Sequence, residues 1–288
     1  MNTIGLVVNS SKGDVAKPVR EVISWLAEQR IKVLYNEESA VLLGCPEEGI
    51  STRELGAQCD CIMVWGGDGT LLNCARQTAS SGTPIFGVNL GRLGFLTEID
   101  IPDLRERLQA LIAGHFYIEE RMMLEATVIR GGQVVDQAVC LNDAVVSKGA
   151  SFRMVQLRIL VNNEFVGSFA ADGVIVASPT GSTAYSLAAG GPIISPDMEA
   201  MLITPICPHS LSNRPIVISP QSKVEVQVLP YVDKVGLNLD GQYGLPLREG
   251  DRILINRATV KARFLKIQKT GFYDVLREKL KEWQNGLD

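Results

Sequence analysis

Long apolar runs, histidines and clusters of positive charge are scarce in this sequence. No run reaches the roughly 18 apolar residues that would suggest a membrane span. The apolar run at residues 4–8 lacks the basic flank and the small-residue cleavage site of a secretory signal, and we interpret it as a first strand. The net charge is −4 and the isoelectric point is near 5.4, which argues against broad binding to a nucleic-acid backbone. We therefore expect a cytoplasmic protein that binds neither membranes nor nucleic acid.

Cysteine and histidine patterns for disulfides and metal sites are also missing. The six cysteines form no CxxC pair and have no histidine partners at zinc-finger spacing. Cys59 and Cys61 flank a single residue, which suits neither an easy disulfide nor a usual metal site. This usage is typical of reduced cysteines in a cytosolic protein. No cluster in the sequence identifies the ligands of a metal ion.

Two common nucleotide-binding motifs are absent as well. The sequence contains no GxxxxGK[ST], which excludes a P-loop enzyme. No GxGxxG follows the first strand, and Gly87, Gly91 and Gly94 have the wrong spacing for that motif. A Rossmann dehydrogenase is therefore disfavoured, although the chain begins with an α/β pattern.

The chain is long enough for two domains, and its first part alternates between strand and helix patterns. Its 288 residues exceed the usual size of one hydrophobic core, and 46% hydrophobic with 21% charged residues is ordinary globular composition. Continuously apolar strands are predicted at residues 4–8, 31–35, 61–65 and 84–88, with helices from about Asp14, near Leu71 and at 103–113. Strands of this kind indicate a parallel sheet that helices cover on both faces.

The second part has the period-two pattern of antiparallel strands. Apolar residues alternate with polar ones through Val155, Leu157, Ile159 and Val161, and again around residues 224–228 and 235–239. The sequence therefore predicts an α/β N-terminal domain with a parallel sheet (1–119) and an antiparallel, sandwich-like all-β domain (120–263). A final helix at 273–283 is predicted to return to the first domain, which 264–288 would complete, and to bury the apolar face of Val275, Leu276, Leu280 and Trp283.

The strongest local signal is Gly66-Gly67-Asp68-Gly69-Thr70, directly after an apolar strand and before a helix. Glycines let a backbone approach a ligand closely, and the carboxyl end of a parallel strand is where open α/β sheets bind ligands. A carboxylate among phosphate-binding amides makes sense if Asp68 faces an acceptor hydroxyl or a metal. The alternative is a tight turn in which Asp68 caps the helix.

Two further segments carry polar groups at strand ends. At residues 172–192 an apolar strand runs into Pro179-Thr180-Gly181-Ser182-Thr183 and then into small residues with Tyr185. Hydroxyls and amides there suit phosphates and ribose, and Tyr185 suits a base; a capped, close-packed turn is the structural alternative. Asn142-Asp143 ends another apolar strand, and such a pair can bind vicinal ribose hydroxyls or simply form a turn.

Together the motifs resemble one family, the NAD kinases, along nearly the whole chain. Six blocks occur in the family's order: 66–70, 89–97, Asn142-Asp143, 172–192, 208–215 and Asp240-Gly241-Gln242. The resemblance implies transfer of a phosphoryl group from ATP, or another donor, to the 2′-hydroxyl of the adenosine ribose of NAD. It also implies a divalent cation, usually Mg²⁺, and an active site completed across subunits in a homodimer or homotetramer.

The resemblance also assigns individual residues. Asp68 matches the base that accepts the proton of the 2′-hydroxyl, and Asp143 stands where the family usually has Glu, so that its reach is one methylene shorter. His209 is interpreted as structural. The NAD-contacting positions are Asp68, Gly69, Phe95, Asn142, Asp143, Arg153, Asp172, Thr183, Ala184, Tyr185, Ser186, Leu187, Ala188 and Gln242.

Two other interpretations compete with the NAD kinase assignment. A lipid kinase of the diacylglycerol type shares the two-domain plan and the GGDG sequence, but this acidic chain has no basic amphipathic stretch for a membrane. A non-enzymatic NAD-sensing module would need no acid beside a hydroxyl and usually carries a nucleic-acid-binding element.

Overall fold

The computed structural model describes residues 1–12, 15–91, 94–97, 99–149, 153–209, 213–230, 234–267 and 271–285, with only the backbone at Lys12 and 282–285. The chain forms two compact units. The first consists of Met1–Glu120 and Ala262–Asp288, and the second of Arg121–Lys261.

The first unit is built on a parallel sheet. Its strands are β1 (Thr3–Val8), β2 (Lys32–Asn36), β3 (Gly49–Ile50), β4 (Cys61–Gly66), β5 (Ile85–Asn89) and β6 (Ile99–Asp100). Its helices are α1 (Ala16–Glu28), α2 (Glu37–Leu43), α3 (Thr52–Gln58), α4 (Asp68–Thr78) and α5 (Leu104–Ile112). The strand order is β3-β2-β1-β4-β5, with β6 beside β5, and every pair among them is parallel. The predicted parallel α/β architecture is confirmed.

Strands β1 and β4, at the centre of this sheet, are buried on both faces. Alternate residues of β4, Cys61, Met63 and Trp65, join a core with α1 and α5, and the residues between them are also fully buried. Burial of each large apolar side chain contributes about 1.5–3 kcal/mol. Because both faces are covered, the strands are continuously apolar, and this is why they could be recognised from sequence.

Several helix boundaries differ from the prediction. Helix α4 begins at Asp68, three residues before the predicted Leu71, and α1 begins at Ala16; the predicted cap Asp14 lies outside the described residues. Helices α2 and α3 were missed because each has only seven residues. Their signals are caps: the Asn36 side chain accepts a hydrogen bond from the Ser39 amide, and Ser51 with Glu54 forms a capping box.

The second unit is antiparallel. Its strands are β7 (Tyr117–Arg130), which begins in the first unit, β8 (Gln133–Cys140), β9 (Asp143–Lys148), β10 (Val155–Val161), β11 (Glu164–Ala171), β12 (Gly173–Ala177), β13 (Met201–Ile206), β14 (Ile216–Ile218), β15 (Val224–Val228), β16 (Val235–Leu239), β17 (Tyr243–Leu247) and β18 (Arg252–Lys266), which ends in the first unit. A short helix, α6 (Tyr185–Ala188), follows the 3₁₀ turn Thr180–Thr183.

These strands form two sheets around one apolar core. One sheet has the order β14-β13-β12-β9-β16-β17, and the other contains β11-β10-β15-β18 with β7 and β8 beside β18. Alternate residues such as Val146, Val176, Leu157 and Ile253 from both sheets fill the space between them. One face of each strand is therefore apolar, which is the origin of the period-two pattern. The predicted antiparallel sandwich is confirmed.

The chain ends in α7 (Phe272–Asn285), which belongs to the first unit as predicted. The Phe272 ring lies 6.4 Å from the ring of Phe95. Val275 and Leu276 are half-buried, but Leu280 is 39% exposed, so the prediction that the whole apolar face is buried was wrong at this residue. The side chain of Trp283 lies outside the described part of the chain. Among the described helices, none has the length and apolar character of a membrane span.

Candidate active site

The sheet of the first unit presents Asp68 at its carboxyl edge. Strand β4 ends at Gly66, and Asp68 is the first residue of α4. The neighbouring strand β1 leads into Asn9, whose side-chain amide donates to Thr70 Oγ1 at 3.1 Å. This contact ties the glycine loop to the next strand at the edge where open α/β sheets bind ligands.

The Asp68 carboxylate is held by two backbone amides. Its Oδ2 accepts a hydrogen bond from Phe95 N at 2.9 Å, and its Oδ1 accepts one from Leu96 N at 3.1 Å. The side chain is half-buried, and Gly67 rather than Asp68 occupies the cap position of α4. The alternative that Asp68 is a helix cap is therefore wrong. Each carboxylate oxygen has a further lone pair, so the group can still accept a hydrogen bond from a substrate hydroxyl.

Glycines make this arrangement possible. A Cβ on Gly94 would lie 2.0 Å from Asp68 Oδ1, and a Cβ on Gly66 would lie 2.4 Å from Thr70 Oγ1. A Cβ on Gly67 would meet no atom within 4 Å. Gly94 and Gly66 are thus required by the protein's own packing, whereas Gly67 leaves open space beside Asp68.

The second unit contains a cavity of about 440 Å³ on the face of β9 and β16 that points away from the sandwich core. Three of the predicted site segments meet here: the Asn142-Asp143 pair, residues 172–192 (the small-residue block) and the Asp240-Gly241 turn. The lining residues are Asn142, Asp143, Val145, Ser147, Ala184, Tyr185, Asn238, Asp240 and Gly241. A larger but open groove along α1 contains none of the predicted site residues.

Two acidic side chains of this cavity are almost completely buried. Asp143 is 4% exposed and Asp240 is 8% exposed. Asp240 accepts hydrogen bonds from the amides of Leu141, Asn142 and Asp143, and its own amide donates to Asp143 O at 3.0 Å. Burial, and secondly the negative charge of Asp240, raise the pKa of the Asp143 carboxyl to about 7.

The hydroxyls of the small-residue block serve packing more than the cavity. A Cβ on Gly181 would lie 2.0 Å from Asn142 O, so the turn presses directly against the start of β9. Ser182 is buried and accepts from Ile194 N at 2.9 Å, and Ser186 is buried with its Oγ 2.8 Å from Thr204 Oγ1. Only Ala184 and Tyr185 of this block line the cavity.

The remaining predicted residues lie outside the lining of the cavity. Thr183 and Leu187 are half-buried, Ala188, Gln242 and Arg153 are exposed, and Gly69 and Phe95 belong to the Asp68 loop region. Asp172 lies at the opposite end of β12 from Ala177, the residue paired with Asp143, and forms an ion pair with Lys148 at 2.7 Å. His209 is exposed, and its backbone amide donates to Ala170 O at 2.9 Å.

Three polar residues of the cavity were not predicted to have a role. Ser147 and Asn238 lie on strands at positions that look like ordinary alternation, so no signal marked them. Asp240 was noticed as part of a turn motif, but its contacts are with residues 97 to 99 positions earlier in the chain. The available signal was the Asp240-Gly241 pair, because such a turn favours the left-handed conformation that Asp240 adopts, with a φ of 54°.

An aspartate in a glycine loop at the carboxyl edge of a parallel sheet, together with a cavity lined by acidic, amide and aromatic side chains, is compatible with a phosphotransferase that acts on a nucleotide. Residues 4–116 match the ATP-NAD kinase N-terminal domain family, and residues 141–267 match the ATP-NAD kinase C-terminal domain family. The chain belongs to the NAD kinase family. Its reaction is the transfer of a phosphoryl group to NAD, which gives NADP.

Similar proteins agree with this assignment. The NAD kinase of Moorella thermoacetica is 46% identical over 98% of this chain and 90% of its own length. The NAD kinase of Heliobacterium modesticaldum is 44% identical over 98% of this chain and 99% of its own length. Among solved structures, yeast NADH kinase complexed with NADH has a TM-score of 0.85 at 26% identity, covering 96% of this chain and 86% of that one. An Archaeoglobus fulgidus NAD kinase in complex with ATP has a TM-score of 0.78 at 25% identity, and the match covers 97% of this chain and 98% of that one. The lipid-kinase and sensing-module alternatives are set aside by these matches.

Proposed function

We propose that Asp68 is the proton acceptor in the phosphorylation of NAD. The 2′-oxygen of the adenosine ribose forms a bond to the γ-phosphorus of ATP while the bond to ADP breaks, and the proton of the 2′-hydroxyl passes to Asp68. Phosphoryl transfer depends mainly on positioning and charge neutralisation, so the proton moves late and a carboxylate suffices. The observation that supports this role most is the pair of amide hydrogen bonds from Phe95 and Leu96, which fix the carboxylate at the edge of the sheet.

We further propose that the cavity of the second unit binds NAD. Asn142, Asp143, Ala184 and Tyr185 line it, and Tyr185, 47% exposed, offers a flat apolar ring beside the polar groups of the β9 end. For the other predicted NAD-contacting residues of the chain, the support is the family match alone. They are Gly69, Phe95, Arg153, Asp172, Thr183, Ser186, Leu187, Ala188 and Gln242.

A divalent cation, Mg²⁺, is proposed to enter with ATP. Mg²⁺ is usually bound through one or two carboxylates, water and the phosphates of the substrate rather than in an all-protein cage. Among the described residues, no group of three or more His, Cys, Asp or Glu side chains is arranged to hold a metal ion, which fits a cation carried by the triphosphate. Its chemistry would be neutralisation of charge on the transferred phosphoryl group.

Three broader features complete the proposal. The first compact unit is taken as the α/β domain that carries the glycine loop, and the second as the β-rich NAD-binding domain. The enzyme is proposed to form a homodimer or homotetramer, which light scattering on a sizing column would measure. A cytoplasmic location is proposed because all six cysteines are free thiols, as is usual in a reducing compartment.

Replacement of Asp143 by Ala is expected to raise KM for NAD while kcat changes less. A contact that is made equally in the ground state and the transition state contributes to KM and not to kcat. Calorimetric titration with NAD checks the binding directly, and Asp197→Ala is a matched control because Asp197 is an exposed aspartate of the same unit outside the cavity. An Asp143→Ala variant with the NAD affinity of the Asp197→Ala variant would contradict the assignment of the cavity.

The activity itself is tested by incubation of the purified chain with NAD, ATP and Mg²⁺. NADP⁺ is the expected product. Parallel reactions with polyphosphate as the donor and with NADH as the acceptor measure the donor and acceptor preference of the enzyme. Failure to form NADP⁺ with any donor would contradict the proposed function.

A further inference from the structure

Asp240 clamps the backbone at the start of β9. Its Oδ1 accepts hydrogen bonds from Asn142 N at 2.7 Å and Asp143 N at 3.2 Å, and its Oδ2 accepts one from Leu141 N at 3.0 Å. The return bond from Asp240 N to Asp143 O closes a ring between the two segments. Amide donors aimed at both oxygens stabilise the negative charge of a buried carboxylate, so Asp240 is the acid that carries the charge.

Asp143 lies beside this charge, and both acids are buried. The other described residues that line the cavity are Asn142, Val145, Ser147, Ala184, Tyr185, Asn238 and Gly241, none of which is a lysine, arginine or histidine. The nearest lysine on β9, Lys148, is at the far end of the strand, where it pairs with Asp172. Arg121 on β7 is buried, and its guanidinium donates a hydrogen bond to Thr180 Oγ1 of the 3₁₀ turn at 3.4 Å. Two adjacent buried negative charges are costly, and protonation of one acid relieves that cost.

We infer that Asp240 is a positioning residue of the NAD site, which takes the negative charge and leaves Asp143 as a neutral carboxylic acid that donates its O–H to the substrate. This inference rests on the proposed binding of NAD in the cavity. The raised pKa of Asp143, about 7, agrees with it, because burial and the Asp240 charge both favour the protonated form. A neutral acid offers one donor and one acceptor, which complements a ribose hydroxyl or a carboxamide, whereas a carboxylate only accepts.

The consequence is an NAD affinity that depends on pH. Below about pH 6 Asp143 already holds its proton, and the affinity is constant. Above its pKa of about 7 the proton must be taken up when NAD binds, and the Kd rises up to about tenfold per pH unit. NAD itself gains or loses no proton in this range, so calorimetry without ATP isolates the protein group.

The test is calorimetry of NAD binding to the full chain from pH 6 to 9, in buffers of different ionisation enthalpy. The wild-type protein should take up close to one proton on binding at pH 8. Asp143→Asn should show no uptake and a Kd that does not change with pH, and it should bind NAD more tightly than Asp143→Ala, because an amide keeps one donor and one acceptor. A wild-type Kd that is constant from pH 6 to 9 overturns the inference.

A second measurement examines the acid pair without NAD. Carbon-13 NMR of the side-chain carboxyl of Asp143 should show titration near pH 7 in the wild-type protein and at lower pH in Asp240→Asn, which removes the neighbouring charge. If Asp240→Asn fails to fold, the wild-type titration alone decides, and titration near pH 4 overturns the inference. If Asp143 titrates near 7 but Asp143→Ala leaves NAD affinity unchanged, the proposed NAD role of the cavity fails, and the inference fails with it.

Discussion

The Asp68→Asn variant is expected to lose about 10²–10⁴-fold in kcat, the usual cost of a missing general base, while NAD still binds. Asparagine has nearly the same shape but cannot take the proton of the 2′-hydroxyl. It also keeps only one oxygen for the amides of Phe95 and Leu96, so a small fall in stability is expected alongside the loss of turnover. Steady-state kinetics at saturating ATP, calorimetry with NAD and a melting curve separate these effects.

Asp60→Asn is the matched control for that variant. Asp60 is an aspartate of the same unit whose carboxylate also accepts two backbone amides, those of Asn2 and Thr3. It precedes β4 at the amino end, so it lies at the opposite end of that strand from the glycine loop. We expect its replacement to change stability slightly and kcat little. Wild-type kcat in Asp68→Asn would refute the assignment of Asp68.

Gly94→Ala is expected to lower kcat at least tenfold, although residue 94 itself has no chemical group to lose. The new Cβ would lie 2.0 Å from Asp68 Oδ1 and 2.6 Å from its Cγ, so the carboxylate must move away from the amides that hold it. Displacement of a reacting group by about 1 Å can cost 10²-fold in rate. Gly91→Ala is the control on the same loop, since a Cβ there meets no atom within 4 Å.

The double variant Gly94→Ala, Asp68→Asn shows whether the two effects share one cause. If Gly94 acts through the position of Asp68, its substitution should lower kcat little once Asp68 has become Asn. Additive losses would mean that Gly94→Ala disturbs the unit more widely, and a melting curve of Gly94→Ala alone would show the same disturbance. Equal kcat for Gly94→Ala and Gly91→Ala would contradict the predicted clash.

The fold could be predicted where burial leaves a simple pattern. Strand β4 is apolar throughout because both of its faces are covered, and β10 alternates because one face is polar. Helices α2 and α3 have seven residues each, too few to show a clear helical period, and only their caps signal them.

The candidate site was predictable in its loops and not in its side-chain contacts. The glycine loop was recognisable because its residues are contiguous. Ser182 and Ser186 looked like ligand-binding hydroxyls, yet they bond to Ile194 and Thr204 within the fold. The acid pair of Asp143 and Asp240 joins positions 97 residues apart, and no local pattern reports such a distance.

Asp68 is proposed to receive the proton from the 2′-hydroxyl of the adenosine ribose. A crystal structure of the enzyme with NAD bound measures it most directly, through the distance between that 2′-oxygen and the Asp68 carboxylate. A general base must lie within about 2.6–3.2 Å of the oxygen whose proton it takes, or reach it through one water molecule. We predict such a contact at Asp68. A 2′-oxygen that lies beyond this reach of Asp68 and against a different carboxylate would contradict the assignment of Asp68.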